Sequence, residues 1–122
     1  MPHALDWFEI PTTDLDRAVR FYETVLGVSL KREVFGGVPM ASFPFGQDKS
    51  TGGALIQDAR RKPSADGPVL YLNSYGHLDA CLQRLAKAGG ALVAAKMDIG
   101  EPGFIAIFRD TEGNVLGLHE ER

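Results

Sequence analysis

The sequence predicts an α+β fold made of two copies of a β-α-β-β-β module, and three observations carry this prediction. Shifting the chain against itself by 63 positions places Leu15-Asp16 on Leu78-Asp79 and Gly27 on Gly90, which is the mark of an internal repeat. Each half shows apolar residues first at helical spacing and then in short runs between glycine-bearing turns. A chain of 122 residues has the size of one domain, so the two copies should share one core.

Module 1 is predicted over about residues 4–58, and it starts with a strand at 5–11. Asp14 suits the N-cap of the following helix, because its carboxylate can accept a bond from a free backbone N–H. Apolar residues then recur on one helical face from Leu15 to Leu26, and Gly27 suits the position just past the helix end. Three strands should follow, at 29–35, 38–45 and 53–57, with Gly36-Gly37 as a two-residue hairpin turn between the first two.

A polar linker is predicted over about residues 59–68, and module 2 over about 69–120. This module should repeat the order with a strand at 69–73 and a helix whose apolar face carries Leu78, Cys81, Leu82 and Leu85. Gly89-Gly90 should end that helix, and His77 has the place of Asp14, which favours a turn or capping role. The last strands are predicted at 92–95, 104–109 and 115–119.

Composition excludes several classes of partner. The formal charge of -3 and the pI near 5.5 give no basic surface for nucleic acid, and no apolar stretch approaches the roughly 20 residues that cross a bilayer. The first residues lack the pattern of a signal peptide. The lone cysteine, Cys81, lies among apolar neighbours and is predicted to be a buried thiol. We therefore expect a globular cytoplasmic protein with no nucleic-acid or membrane partner.

Three stretches of the chain resemble the vicinal oxygen chelate superfamily, which includes glyoxalases, bleomycin-resistance proteins and extradiol dioxygenases. They are PTTDLDRAVRFYETVLG, AKAGG and FRDTEGNVLGLHE, and the resemblance covers essentially the whole chain. It implies that the curled mixed sheets of the two modules surround a shared cavity, which is commonly completed by a second subunit, so a homodimer is expected. It also implies a divalent cation that substrate oxygens chelate.

The resemblance places the metal-ligand positions at Trp7, Val69 and Gly117. None of these residues has a side chain that can coordinate a cation, and the fourth region, 53–57, contains no carboxylate or histidine. The sequence therefore predicts no metal cofactor at the usual site. A relocated divalent metal site that uses Glu9 and His119 stays open as an alternative. In place of a ligand, the Trp7 ring would fill the metal volume or stack on a planar group.

Candidate ligand-binding residues follow from strand alternation under the same register. Trp7 and Glu9 share one face of the first strand, and Gly117 and His119 share one face of the last. The residues predicted to contact a small-molecule ligand are Trp7, Glu9, Phe43, Tyr71, Asn73 and His119. Glu9 and His119 are also the candidate catalytic residues, as a carboxylate-imidazole couple for proton transfer. The competing interpretations are a structural buried ion pair or hydrogen bond, or a different strand register that leaves His119 near solvent.

Two functions remain open from the sequence. The first is a small-molecule binding protein similar to the bleomycin-resistance proteins, with a partly apolar cavity and no metal. The second is a lyase or isomerase similar to lactoylglutathione lyase, with a relocated metal site or with acid-base chemistry at Glu9 and His119. The missing ligands favour the first.

Overall fold

The computed structural model describes residues 4–44 and 51–122. Module 1 contains one helix and four strands, and module 2 repeats this order. The elements are β1 (Trp7–Pro11), α1 (Leu15–Leu26), β2 (Lys31–Phe35), β3 (Val38–Ser42), β4 (Gly52–Ile56), β5 (Tyr71–Asn73), α2 (Leu78–Arg84), β6 (Ala91–Asp98), β7 (Phe104–Arg109) and β8 (Val115–Glu120). The predicted α+β fold of paired β-α-β-β-β modules is confirmed.

Each module forms its own four-stranded mixed sheet. The strand orders are β1-β4-β3-β2 and β5-β8-β7-β6, so the two sheets have the same topology. In each sheet the first strand pairs in parallel with the last, and the remaining pairs are antiparallel. Within the described residues no strand pairing joins the two sheets. The sheets are therefore not closed into one barrel.

Helix α1 has the bounds that its sequence predicts, because local chemistry sets both ends. The Asp14 carboxylate accepts a hydrogen bond from the Arg17 N–H at 3.1 Å. Gly27 adopts a left-handed conformation with φ of 69° and donates its N–H to the Glu23 carbonyl, which satisfies a carbonyl of the last turn. The buried side chains of the helix form one face, as the apolar spacing indicates.

The two modules also use the same contact to fix the start of each helix. The Leu15 N–H donates to Gln57 Oε1 at 2.8 Å, and the Leu78 N–H donates to Glu120 Oε1 at 3.0 Å. Both donor and acceptor are thus 63 positions apart between the modules. His77 occupies the N-cap position of α2, but its side chain makes no capping hydrogen bond. The predicted turn role is confirmed, because the His77 N–H donates to the carbonyl three residues earlier at 3.0 Å. A capping role for its side chain is wrong, since the Glu120 carboxylate accepts the first N–H of the helix instead.

Several element ends differ from the predicted ones. Helix α2 ends at Arg84, and the chain continues through turns to Gly89, which has φ of 97°. Strand β5 starts at Tyr71, two residues later than predicted, and β3 ends at Ser42. The predicted end of β3 at residue 45 lies outside the described residues. Strand ends depend on the partner strand as well as on local sequence, so pattern alone does not fix them.

One hydrophobic core serves both modules. It lies between the sheets and the two helices, and it includes Ile10, Tyr22 and Leu55 from module 1 together with Leu72 and Phe108 from module 2. Cys81 is a buried free thiol in this core, as predicted. A smaller cluster of Met40, Ala54 and Ile56 lies on the opposite face of the first sheet. No helix in the described part of the chain is long and apolar enough to cross a membrane.

Candidate functional site

The face of each sheet opposite the core carries most of the predicted site residues. On β1, Ile10 is in the core, so Trp7 and Glu9 project from the other face. On β8, Leu116 and Leu118 are in the core, and by the same alternation the intervening position, Gly117, and the following one, His119, belong to the opposite face.

Gly117 is pressed against an aromatic ring of the neighbouring strand. It pairs directly with Tyr71 in the parallel register of β5 and β8. A Cβ atom added to Gly117 would lie 2.3 Å from Tyr71 Cδ1 and 2.4 Å from its Cε1, which is far inside van der Waals contact. A glycine in a strand interior permits close approach, and here the approaching group is the Tyr71 ring.

The equivalent place in module 1 has a different pair. Glu9 pairs with Ala54 in the parallel register of β1 and β4. The Glu9 carboxylate accepts a hydrogen bond from the Trp7 indole Nε1 at 3.3 Å, and both side chains are exposed. Trp7 and Glu9 therefore form a local unit of an aromatic ring and a carboxylate on the open face.

The predicted polar residues of module 2 are held by their own neighbours. His119 Nε2 lies 2.7 Å from the Pro102 carbonyl oxygen, so Nε2 carries the proton of this bond and Nδ1 is the free basic atom in the neutral ring. Asn73 Oδ1 accepts a hydrogen bond from the Tyr75 N–H at 2.7 Å. In the described parts of the chain no hydrogen bond or ion pair joins Glu9 to His119. The structure therefore does not bring the predicted acid-base couple together.

Among the described residues, two of the cavities contain predicted site residues. The charged cleft, of about 430 Å³, lies between β1 and the linker, and its lining includes Trp7, Glu9, Lys62 and Asp66. The neutral crevice, of about 330 Å³, lies between the start of β4 and β5, and the described residues that line it, which include Phe43, Tyr71 and Asn73, are uncharged. His119 lines neither cavity. The other five predicted ligand-contact residues are divided between the two spaces.

Phe43 has a larger part in the core than in the cavity. Its ring is 5.6 Å from the Tyr22 ring centroid in an edge-on arrangement and 5.8 Å from that of Phe8. Only 8% of the residue is exposed. Phe43 therefore forms part of the inner end of the neutral crevice and also packs the interface between sheet and helix.

The aspartate and asparagine of the turn between β7 and β8 connect three parts of the molecule. Buried Asp110 accepts hydrogen bonds from the Tyr22 hydroxyl at 2.7 Å and from the backbone N–H groups of Glu112 and Asn114. Asn114 donates from Nδ2 to the Pro11 carbonyl at 2.8 Å and accepts at Oδ1 from a linker N–H. Burial, together with the negative Asp110, raises the pKa of Tyr22 well above its usual value. This motif has a structural role, which the sequence did not reveal.

Glu112, in the same turn, holds the start of helix α1. Its carboxylate side chain is fully buried and accepts hydrogen bonds from the backbone N–H groups of Thr13 and Asp14, each at 2.9 Å. Arg17 adds a bond from Nε at 2.7 Å. Burial by itself raises the pKa of Glu112, but the hydrogen bonds from Arg17, Asp14 and Thr13 outweigh it and lower the pKa to about 2.

The residues at the inherited metal positions do not fit a metal ion. The side chains of Trp7 and Val69 have no atom with a lone pair that can coordinate a cation. The Tyr71 ring occupies the space into which a longer side chain at position 117 would project. Over residues 4–44 and 51–122 no group of three or more histidine, cysteine, aspartate or glutamate residues is arranged to hold a cation.

Comparison with known proteins gives one consistent answer. A glyoxylase-like domain-containing protein from Didymella fabae is 30% identical over 115 residues, which cover 90% of this chain and 88% of the relative. The putative glyoxylase CFP32 of Mycobacterium bovis is 26% identical over 93% of this chain, but the match spans only 44% of that protein. A glyoxalase/bleomycin resistance protein from Albidiferax ferrireducens has the same fold, with a TM-score of 0.72 at 15% identity over 98% of this chain and 100% of the other. The family model of the glyoxalase, bleomycin resistance protein and dioxygenase superfamily matches residues 4–118, and the chain belongs to that superfamily.

Proposed function

We propose that this protein binds a small, partly apolar molecule between its two modules without a metal ion. The observation that carries the proposal is the contact between Tyr71 and Gly117. The Tyr71 ring lies where a side chain at position 117 would project, which supports an aromatic surface in place of a ligating carboxylate.

The cavities have the composition of a ligand site. Both combine apolar walls with a few polar groups, as small-molecule sites do, and their volumes of about 330 and 430 Å³ lie at the lower end of the usual range of roughly 300 to 1,000 Å³. Trp7 and Tyr71 offer exposed rings on the open face. Glu9 and Asn73 supply polar groups that would fix the orientation of a ligand.

Metal analysis combined with a ligand screen tests this proposal. Protein purified without a histidine tag or chelator should contain far less than one equivalent of nickel, zinc, iron or manganese. Its thermal midpoint should be the same with and without EDTA. Compounds that raise the midpoint should raise it equally in EDTA, because the stabilisation comes from binding of the compound and not from a bound metal. One equivalent of metal, with a lower midpoint after chelation, would refute metal-free binding.

The alternative is a lyase or isomerase that uses Glu9 and His119. One observation favours it: the bond to the Pro102 carbonyl orients the His119 ring and leaves Nδ1 basic. Against it, the partner of the Glu9 carboxylate is Trp7. Turnover of a glyoxalase substrate that Glu9→Gln and His119→Gln both abolish would support the enzyme, whereas turnover that survives both changes would remove this couple from consideration.

A homodimer and a cytoplasmic location are further proposals. Leu92, Val93 and Met97 are exposed on β6, which forms the edge of the second sheet, and an exposed apolar edge strand favours pairing with another chain. Light scattering of the purified protein should give twice the mass of 13.2 kDa. Fractionation of the cells that produce the protein tests the location.

A further inference from the structure

We infer that the neutral crevice receives an uncharged aromatic ring system of the ligand, and that Tyr75 is a contact residue at its mouth. This inference rests on the proposed function and names the class of molecule that is bound. Of the inherited metal positions, Val69 lines the crevice whereas Trp7 and Gly117 do not, and Tyr75 is a residue that the sequence did not single out.

The lining of the crevice specifies an uncharged group. Its inner end is formed by Phe8, Leu26 and Phe43, which are buried or partly buried, and its mouth by Val69, Tyr71 and Tyr75, which are about half exposed. None of the described residues that line it carries a charge. An ionised group placed there would lose its hydration without gaining a partner, which is costly. An uncharged ring would bury apolar area against four aromatic side chains.

The backbone of Tyr75 indicates that its side chain is needed. Tyr75 has φ of 55°, and it is the one non-glycine residue with positive φ in the described parts of the chain. Glycine adopts this conformation without strain and asparagine does so readily, so the turn itself has no need of a tyrosine. The ring is 49% exposed and adds little to the core. What distinguishes tyrosine from glycine at this position is the ring at the mouth of the crevice.

Hydrogen-bonding groups at the mouth refine the ligand class. The hydroxyl groups of Tyr71 and Tyr75 can donate hydrogen bonds. Asn73 Oδ1 accepts the Tyr75 N–H, so the group that Asn73 can offer to a ligand is the Nδ2 donor. A ring system with an acceptor beside it, such as an aryl ketone, ester or amide, satisfies these donors. The geometry points to a neutral aromatic compound of this type.

A pair of fluorescent probes that differ only in charge tests the inference. N-phenyl-1-naphthylamine is neutral, and 8-anilinonaphthalene-1-sulfonate has the same rings with an added anion. Both would be titrated into the whole protein in buffer that contains EDTA. The neutral probe should bind in a 1:1 ratio with a Kd at least tenfold lower than that of the sulfonate. Absence of binding by the neutral probe, or equal affinity of the two probes, would overturn the inference.

An exposed apolar residue away from the crevice provides a control for a change at Val69. Val69 is 46% exposed at the mouth of the crevice, and Ile99 is 37% exposed just after the end of β6, away from it. Val69→Asp places a charge at the mouth and should raise the Kd of the neutral probe at least tenfold. Ile99→Asp adds the same charge elsewhere and should change the Kd less than twofold. Equal Kd values for the two variants would show that the probe binds outside the crevice.

Tyr75 is tested by separating binding from stability. Tyr75→Gly should raise the Kd of the neutral probe at least fivefold while the thermal midpoint stays the same or rises, because the left-handed backbone is unstrained in glycine. Tyr75→Phe keeps the ring and should bind the neutral probe as the unchanged protein does, and Tyr75→Asn provides a second variant that suits the backbone. Unchanged Kd in Tyr75→Gly and Tyr75→Asn would exclude a contact role.

The crevice and the proposed function can fail separately. If the neutral probe binds metal-free protein but ignores the changes at Val69 and Tyr75, the crevice inference fails and metal-free binding stands. If stoichiometric metal proves necessary for ligand binding while the probe still depends on Val69, the proposed function fails and the crevice remains a binding site.

Discussion

The Tyr71 ring occupies the space that a Cβ atom on Gly117 would need. Such a Cβ atom would lie 2.3 Å from Tyr71 Cδ1. The two residues pair in adjacent parallel strands, so the arrangement is built into the register of the sheet. It explains why the last strand tolerates a glycine at its centre. It also shows that position 117 cannot carry a ligating side chain unless the Tyr71 ring moves or is replaced.

Replacing Gly117 with alanine should lower the free energy of unfolding by about 1 to 3 kcal/mol, because the added methyl group forces the Tyr71 ring to move. In the background of Tyr71→Ala the same change should cost much less. Urea unfolding of the single and double variants measures the coupling, which should be of the order of 1 kcal/mol or more. Strictly additive effects would show that the ring is not the obstacle.

Glu112→Gln should lower the free energy of unfolding by about 2 kcal/mol near neutral pH, because the bonds to Arg17 and to two backbone N–H groups lose their charged acceptor. The pKa of Glu112 is lowered from 4.5 to about 2 in the folded protein. Its ionisation therefore stabilises the fold fully above about pH 4.5, and this contribution is lost as the pH falls from there towards 2.

The difference between the unchanged protein and Glu112→Gln isolates this effect from other acidic groups. Urea unfolding at several pH values should show a constant difference between pH 5 and 7 that narrows below about pH 4.5. A difference that grows as the pH falls would contradict the assignment of the lowered pKa to Glu112.

Tyr22→Phe should cost about 1 to 3 kcal/mol, because it removes the hydroxyl that donates to buried Asp110 and leaves a carboxylate oxygen with one bond fewer. The exposed Tyr75 offers a matched control, since Tyr75→Phe removes a hydroxyl at the surface and should change the stability by less than about 0.5 kcal/mol. Thermal and urea unfolding measure both. Equal effects would mean that the hydrogen bond to Asp110 adds nothing.

Gln57→Ala and Glu120→Ala should destabilise the protein by similar amounts, about 1 kcal/mol each. Each removes the side-chain oxygen that accepts the first N–H of a helix, Leu15 in one module and Leu78 in the other. Gln83→Ala, on the exposed side of α2, is the control and should have little effect. A cost confined to one module would show that the two contacts have lost their equivalence.

Local chemistry explains which parts of the fold the sequence predicts well. The bounds of α1 follow from Asp14 and Gly27, whose effects act within one turn of the helix. The repeat of 63 positions predicts the second module, and the contacts of Gln57 and Glu120 confirm that the register of the repeat is physical. The end of β3 and the start of β5 depend on partner strands that are distant in the sequence. The predicted strands therefore extend beyond the observed ones at these two points.

The candidate site is less accessible to sequence reasoning because its properties arise from contacts across the chain. Alternation places Glu9 and His119 on the open faces but cannot show that their hydrogen-bond partners are Trp7 and Pro102. The left-handed backbone of Tyr75 has no local signal beyond the following Gly76. The burial of Glu112 beneath Arg17 joins residues that are 95 positions apart.

The hydrogen bonds that Glu112 makes to the residues before α1 limit the ability of the two modules to fold separately. The first N–H of each helix is satisfied within its own module, but the two N–H groups that precede α1 are bound by a carboxylate that module 2 supplies. The internal duplication has thus become unequal. A fragment with residues 1–58 alone would leave backbone donors without an acceptor and half of the shared core open to water. We expect this fragment to fold only when the complementary fragment is added. A single module is therefore a repeat in sequence and topology but not an independent folding unit.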